Sequence, residues 1–266
     1  MTSLVACAVT ALLLRFFLPK LPIRYPSDDR WNAEKIPTAG GITFLPVFAF
    51  YSLISPLFVA SLIIWFMGLV DDVKPLSPRV KLLTETAAAL FLVFFGWQLH
   101  WFGYPVLTLV LSVFWIVGLT NAFNLIDNMD GLSTGVSIIA LVFIGLLTGN
   151  PLQTMVLLGI CCGFLVFNFP PAKVFMGDCG ALFIGLNVAC MSMDARVGLL
   201  ALLILVVPLA DTTFVTVRRL LKKKSPAKGG LDHLSHELVK ITHSQLAAMG
   251  TLWTVGLLGG LLALWI

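Results

Sequence analysis

Charged residues are scarce in this sequence. Only 11% of the 266 residues are Asp, Glu, Lys or Arg, whereas 59% are apolar, and soluble domains usually carry about 25% charged residues. So few polar groups could not cover the surface of a soluble globule, which excludes that class of protein. A bilayer core of about 30 Å requires roughly 20 apolar residues per helix, so this length allows about nine to eleven membrane spans. We expect residues 1–266 to form a single membrane domain.

The cysteines are few and mostly have apolar neighbours, so they indicate neither a disulfide framework nor a zinc site. Most of the five cysteines lie inside apolar runs, where the side chain usually behaves as a small hydrophobe. The formal charge of +4 could suggest a nucleic-acid partner, but basic residues that flank membrane helices explain it more simply. We therefore expect a membrane protein that binds no nucleic acid.

The apolar residues fall into ten segments: 3–19, 41–54, 57–70, 82–99, 104–121, 132–148, 152–167, 179–193, 196–216 and 245–266. Because the second and third are short and meet at Ser55-Pro56, they could form either a helical hairpin or one kinked helix. The hairpin places five loops on one side of the membrane, and the single helix does not. These loops are 20–40, 71–81, 122–131, 168–178 and 217–244.

Basic residues decide between the two topologies and give the orientation. The sequence has 17 Lys and Arg residues, and all but Arg15 and Arg196 lie in those five loops or at the helix ends beside them. Cytoplasmic loops of membrane proteins are enriched in Lys and Arg. We therefore predict an all-α, polytopic membrane protein with about ten transmembrane helices, external N- and C-termini, and cytoplasmic functional loops.

The second and third of these loops carry clustered acidic and amide side chains. Asp71-Asp72 ends an apolar segment and is followed by several cations, which indicates either a solvated helix end or a site where Mg²⁺ meets carboxylate and phosphate oxygens. In the third loop, polar residues recur at the i, i+3 and i+4 spacing of one helix face. Such a stripe lines a cavity or packs helices together. It comprises Asn121, Asn124, Asp127, Asn128 and position 131, and Asp130 lies in the same loop.

The fourth and fifth loops add an aspartate and two histidines. Asp178 lies between Gly177 and Gly180 just before an apolar segment; glycines and a helix N-terminus suit a phosphate, although an ordinary N-cap aspartate is the alternative. His233 and His236 follow a basic run that could equally be an anchor for anionic lipid. Together the loops suit phosphoryl chemistry on a lipid head group.

In order along the chain, these loops resemble the motifs of the polyprenyl-phosphate N-acetylhexosamine-1-phosphate transferases. This ten-helix membrane family, glycosyltransferase family 4, includes the phospho-MurNAc-pentapeptide translocases. The first four motifs are Pro37 to Gly41, Asp71-Asp72 with Leu76 to Leu83, Asn121 to Gly131, and Asn168 to Gly180. The fifth departs from the family's His-x-His-His pattern, because Ser235 replaces the middle histidine of His233 to His236. From the sequence we expect Ser235→Ala to matter little.

The resemblance implies transfer of a sugar phosphate, most simply GlcNAc-1-phosphate, from a UDP-N-acetylhexosamine to polyprenyl (undecaprenyl) phosphate. It implies Mg²⁺ as cofactor, with Mn²⁺ as a candidate substitute, and a homodimer as a candidate assembly. The implied catalytic residues are Asp71, Asp72, Asp178, His233 and His236, with Asp178, Asn124 and Asp72 as metal ligands. The implied substrate-binding residues are Lys35, Thr38, Lys81, Asn121, Asn124, Asp127, Asp130, Asn168 and Phe175.

Within that resemblance, Lys35, Lys81 and the two histidines would hold phosphates. Asp127, Asp130, Asn168 and Phe175 would hold the uridine, and Asp71 is the candidate base or phosphate-positioning group. The reaction would be the first membrane step of cell-envelope glycan synthesis, in the inner (plasma) membrane. Three alternatives stay open: the phospho-MurNAc-pentapeptide transferase of peptidoglycan synthesis, a transporter or flippase of a phosphorylated solute, and a membrane phosphatase.

Overall fold

The computed structural model describes residues 1–21, 23–24, 36–52, 55–101, 103–149, 151–223, 225 and 230–266. The regular structure of the described residues is helical apart from a two-residue antiparallel strand pair, Ile23–Arg24 with Ile36–Pro37. The helices are α1 (Thr2–Phe17), α2 (Phe44–Ser52), α3 (Pro56–Val73), α4 (Pro78–Phe94), α5 (Pro105–Ile126), α6 (Leu132–Thr148), α7 (Leu152–Asn168), α8 (Gly177–Met191), α9 (Ala201–Ile204), α10 (Val206–Leu221), α11 (Leu234–Thr242) and α12 (Gln245–Trp265).

Each of the ten predicted apolar segments contains a helix, but one of them is broken. Segment 196–216 was expected to be a single helix, and instead it bends by 70° between α9 and α10. Pro208 lies in the first turn of α10. It has no N–H to donate to the carbonyl of Ile204, so a helix cannot continue regularly through this point.

The length and composition of the helices agree with a membrane protein. Among the described residues, four helices are long and apolar enough to cross a bilayer: Thr2–Lys20, Pro56–Val73, Pro105–Ile126 and Gln245–Trp265. The bent pair at Leu205 would make a fifth, and four further apolar helices have 10–17 residues. Large apolar side chains lie on the outside of the bundle: Phe50 and Phe94, for example, have 80% and 84% of their surface exposed. A surface of this kind suits lipid and not water.

The predicted hairpin at Ser55-Pro56 is confirmed. Helix α2 ends at Ser52, and α3 begins at Pro56 with the Ser55 hydroxyl accepting a hydrogen bond from the Phe58 N–H at 3.1 Å. Farther along α3, the Trp65 indole N–H donates to the carbonyl oxygen of Gly41 at 3.0 Å. The chain therefore leaves Gly41, turns and returns to it, which a single kinked helix could not do.

Helix α8 lies at the centre of the bundle, with nearly all of its residues buried. Glycines let two neighbouring helices approach it closely: a Cβ on Gly68 of α3 would lie 2.6 Å from the Cys179 Cα, and one on Gly185 of α8 would lie 2.8 Å from the Thr120 Cα of α5. Small residues commonly allow such close approach between membrane helices. These contacts bring the polar ends of α3 and α5 to the N-terminus of α8.

The close approach at Gly68 gives a stability prediction. Gly68→Ala should lower the free energy of unfolding by about 1–3 kcal/mol, because the new methyl group would meet backbone atoms that cannot move aside. Gly118→Ala in α5 is the matched control. Among the described residues, no atom beyond the adjoining backbone of its own helix lies within 4 Å of its added Cβ, and alanine favours a helix by about 1 kcal/mol over glycine. Thermal unfolding in detergent measures both. Equal melting temperatures for the two variants would contradict the packing argument.

Candidate active site

The first and fourth polar loops are joined by their backbones. The N–H groups of Gly40 and Gly41 donate to the carbonyl oxygens of Phe175 and Met176, both at 3.0 Å, and the Phe175 N–H donates to the Pro37 oxygen at 2.8 Å. The Phe175 side chain is buried against Ile36 and Ala172, which supports a packing role. Its predicted contact with uridine stays a prediction.

Two other predicted residues belong to the first loop. The side chain of Thr38 is buried and lies next to Ala39, whose N–H is close to Gly177. Lys35 falls outside the described residues. The proximity of Thr38 to the fourth loop agrees with its predicted place in the site, and its contact with substrate stays a prediction.

Asp72, at the C-terminal end of α3, caps the N-terminus of α8. Its Oδ1 accepts from the Asp178 N–H at 2.8 Å and its Oδ2 from the Cys179 N–H at 3.1 Å. Free N–H groups at a helix start favour an anion. Gly177 makes room for this carboxylate: its φ is +73°, and an added Cβ would lie 2.6 Å from Asp72 Oδ2. Asp72 thus holds Asp178 in place from a distant part of the chain.

Asp178 is the centre of a partly exposed charged cluster. The Lys81 ammonium forms an ion pair with Asp178 and lies 3.3 Å from Asp71 Oδ2. The Asn124 amide nitrogen is 3.5 Å from Asp178 Oδ2. Asp71 also accepts from the Leu76 N–H at 2.7 Å, so the adjacent aspartates face different partners. The second, third and fourth loops meet here, as predicted.

Beside this cluster, Glu85 of α4 is a residue that the sequence motifs did not single out. Its side chain is buried and accepts a hydrogen bond from the Asn121 amide, which also donates to the Val117 oxygen at 2.9 Å. Asn121, predicted to bind substrate, is therefore held by α4. The signal available in the sequence was a carboxylate inside an apolar segment, which usually marks a functional site.

Asn168 ties the third loop to the fourth. Its Oδ1 accepts from the Gly131 N–H at 3.1 Å and from the Thr134 hydroxyl at 2.8 Å, while its Nδ2 donates to the Val174 oxygen at 3.0 Å. Asp130 similarly accepts from the Ala172 N–H at 2.9 Å. Asp130 and Asn168 thus both join the third loop to the fourth. Their amide and carboxylate groups already have protein partners, and direct contact with uridine stays a prediction, as it does for the nearby Asp127.

The histidines of the fifth loop are buried against α10. Asp211 of α10 accepts from His233 Nδ1 at 2.8 Å and from the Leu234 N–H at 2.7 Å. The ring centroids of His233 and His236 are 5.6 Å apart. Burial, followed by the charge of His233, lowers the pKa of His236 to about 4, so its imidazole is neutral at pH 7. Asp211, like Glu85, is a carboxylate in an apolar segment that the motifs did not single out.

Two further contacts fix the fifth loop. Arg219 of α10 donates from Nε and Nη2 to the two carboxylate oxygens of Asp232, at 3.0 and 2.6 Å, and this ion pair lowers the pKa of Asp232. The Ser235 hydroxyl donates to Asn128 Oδ1 at 2.7 Å, which joins the fifth loop to the third. The described parts of all five loops therefore meet at one end of the bundle.

The donor set can be compared with the needs of a metal ion. No group of three His, Cys, Asp or Glu side chains suited to a metal occurs in the described part of the chain. Mg²⁺ needs only one or two carboxylates when substrate phosphates and water complete its shell. Asp178 and the Asn124 carbonyl fit that requirement. Asp72 fits it less well, because both of its oxygens already accept backbone hydrogen bonds.

Comparison with known proteins adds an independent observation. The model of glycosyl transferase family 4 matches residues 54–196. The probable undecaprenyl-phosphate N-acetylglucosaminyl 1-phosphate transferase of Bacillus subtilis (strain 168) is 32% identical over 93% of this chain and 78% of its own length. The corresponding Thermotoga maritima transferase is 31% identical over 79% and 70%. The phospho-N-acetylmuramoyl-pentapeptide-transferase of Staphylococcus saprophyticus is 29% identical over 97% and 98%.

Proposed function

The chain belongs to glycosyl transferase family 4, and on this premise we propose that it transfers GlcNAc-1-phosphate from UDP-GlcNAc to undecaprenyl phosphate. The similarity to the Bacillus subtilis transferase over nearly the whole chain supports this choice of substrates. The observation that carries the proposal is the cluster of Asp178, Lys81 and Asn124 at the N-terminus of the central helix. In this cluster a carboxylate that could bind Mg²⁺ lies beside an ammonium group that could bind a phosphate oxygen, and a diphosphate requires both.

In this reaction, an oxygen of the lipid phosphate attacks the β-phosphorus of the UDP-sugar. The bond from that phosphorus to the bridging oxygen breaks, and the bridging oxygen leaves with the α-phosphate as UMP. Mg²⁺ bound by Asp178 and Asn124 would neutralise the diphosphate and favour UMP as leaving group. Electrostatic stabilisation of this kind supplies most of the catalysis in phosphoryl transfer.

The side chains of the site then have distinct tasks. Lys81, which bridges Asp71 and Asp178, would turn one of its three N–H donors to a phosphate oxygen. Asp71 is oriented by the Leu76 N–H and would position the lipid phosphate, which is already ionised near pH 7 and needs no base. His233 would meet a phosphate through Nε2, since Asp211 occupies its Nδ1. The third and fourth loops would hold the uridine.

We further propose that the ten apolar segments all cross the inner membrane, with external termini and the site in the cytoplasm. The bias of basic residues supports this orientation: Lys81 and Arg219 lie at the site end, whereas Arg196 lies beyond the opposite end of α8. Cysteine-accessibility labelling in intact cells tests the proposal. A cysteine placed at position 195 should react with an impermeant maleimide, and one placed at position 76 should not. The reverse pattern would contradict it.

Release of UMP by the purified protein in lipid tests the function. We expect UMP only when UDP-GlcNAc, undecaprenyl phosphate and Mg²⁺ are all present. Turnover of UDP-MurNAc-pentapeptide instead would favour the phospho-MurNAc-pentapeptide transferase, which the Staphylococcus relative supports as second candidate by its coverage of 97% of this chain. Release of inorganic phosphate would indicate a phosphatase, and transport of intact substrate would indicate a transporter. Either result would contradict the transferase.

A further inference from the structure

The loop that carries His233 is held from two sides. On one side, α10 binds it through the Asp211 contact to His233 and the Arg219 contact to Asp232. On the other side, the Ser235 hydroxyl donates to Asn128 Oδ1 at 2.7 Å. Asn128 precedes the acidic residue Asp130 by two positions and follows Asp127 directly. The hydrogen bond therefore spans from the histidine loop to the loop with the acidic residues.

Ser235 and Asn128 are both buried, with 1% and 8% of their surface exposed. Asn128 is itself fixed, because its Nδ2 donates to the Leu125 oxygen at 2.8 Å. That bond sets the orientation of the amide and turns its carbonyl oxygen toward Ser235. The Ser235 hydroxyl already donates its one hydrogen to Asn128, so that hydrogen is not available to a substrate. Its effect on a reaction must therefore pass through the loops it joins.

We propose that Ser235 and Asn128 are a positioning pair that fixes His233 relative to Asp127 and Asp130. The proposal rests on the transferase function above, in which His233 contacts a phosphate while Asp127 and Asp130 contact the uridine. It also accounts for Ser235 at a position where the family usually has a histidine, because the short hydroxyl reaches a carbonyl that Asn128 presents. This role replaces the expectation that Ser235→Ala changes little.

The physical reason is geometric. Displacement of a positioning group by about 1 Å can reduce a rate by about 100-fold, and loops depend on such contacts for their placement. Ser235 immediately follows Leu234, the first residue of α11, whose N–H is bound by Asp211. Without the hydroxyl, α10 would still hold the loop through Asp211 and Arg219. The first turn of α11 would lose its hydrogen bond to Asn128.

The test compares Ser235→Ala, Asn128→Ala and the double variant with Ser137→Ala. Ser137 is a matched control because it is as buried as Ser235, and in the part of the chain that the structure describes its hydroxyl bonds within α6, to the Ser133 oxygen at 2.7 Å. We expect Ser235→Ala to lower kcat for UMP release about tenfold with KM for UDP-GlcNAc changed less than threefold. Asn128→Ala should give a similar loss. The double variant should lose no more than the larger single loss, since one interaction is removed.

Hydrogen exchange measured by mass spectrometry supplies a readout that does not depend on catalysis. Peptides covering residues 232–243 should exchange faster in Ser235→Ala and in Asn128→Ala, and at the wild-type rate in Ser137→Ala. Additive losses of kcat in the double variant, or Ser235→Ala with wild-type kcat and exchange, would overturn the proposal. So would an equal loss of kcat in Ser137→Ala. A wild-type protein that releases no UMP would instead overturn the transferase function, while exchange still reports on the loop contact.

Discussion

Asp178→Asn is expected to abolish UMP release, lowering kcat by about 1,000-fold or more, while the protein stays folded. The amide has the shape of the carboxylate but lacks the charge that pairs with Lys81 and that would bind Mg²⁺. A group that acts on charge in the transition state affects kcat much more than stability. UMP release and thermal unfolding, measured on the same detergent sample, separate the two effects.

Asp194→Asn is the matched control for this prediction. Asp194 follows the opposite end of α8, a helix of 15 residues and therefore about 20 Å long, and it pairs there with Arg196 at 2.8 Å. The substitution should leave kcat within twofold of wild type. Near-wild-type turnover by Asp178→Asn would remove Asp178 from the reaction, whereas equal losses in both variants would indicate a general effect of lost negative charge.

Asp72→Ala is expected to reduce both stability and activity. The carboxylate accepts two backbone N–H bonds at the start of α8, and hydrogen bonds to charged groups contribute about 1.5–3 kcal/mol each. With two such bonds lost, we expect the free energy of unfolding to fall by about 3–6 kcal/mol. Activity should fall as well, because the Asp178 backbone loses the group that holds it. Melting temperature and UMP release measured in parallel give both results.

A local cap serves as the control for Asp72. The Ser244 hydroxyl accepts from the Ala247 N–H at 3.2 Å at the exposed start of α12, so Ser244→Ala should cost about 1 kcal/mol and leave UMP release unchanged. Asp72→Ala with a wild-type melting temperature would mean that its two hydrogen bonds do not hold α8. Loss of activity with no loss of stability would then favour the metal-ligand role predicted from the sequence.

Asp71 and Asp72 show which part of the site could be predicted from the sequence and which could not. The sequence predicted that Asp71 and Asp72 act at one site, and the structure does bring both of them to Asp178. It could not assign different tasks to them. Neighbouring side chains on a helix point about 100° apart, and which of the two meets α8 depends on how α3 is packed against it.

Glu85 and Asp211 illustrate what the motifs missed. Each is a carboxylate within an apolar segment, which is a recognisable signal, but the partner of each lies on another element: Asn121 for Glu85 and His233 for Asp211. Sequence spacing gives no measure of such contacts. The same limit applies to Ser235, whose partner Asn128 is more than 100 positions away.

The sequence alone was enough to identify a membrane protein and to predict that its polar loops lie together on one side. The composition and the ten apolar segments indicate a membrane protein, because long apolar segments are stable in lipid. The number of spans between two loops decides whether they share a side, and the bias of the 17 basic residues indicates which side that is. The tertiary structure confirmed the hairpin at Ser55-Pro56 that the basic residues favoured. Only the tertiary structure revealed that segment 196–216 bends by 70°. It also decided which polar side chains contact one another, because those contacts depend on distances between helices that are remote in sequence.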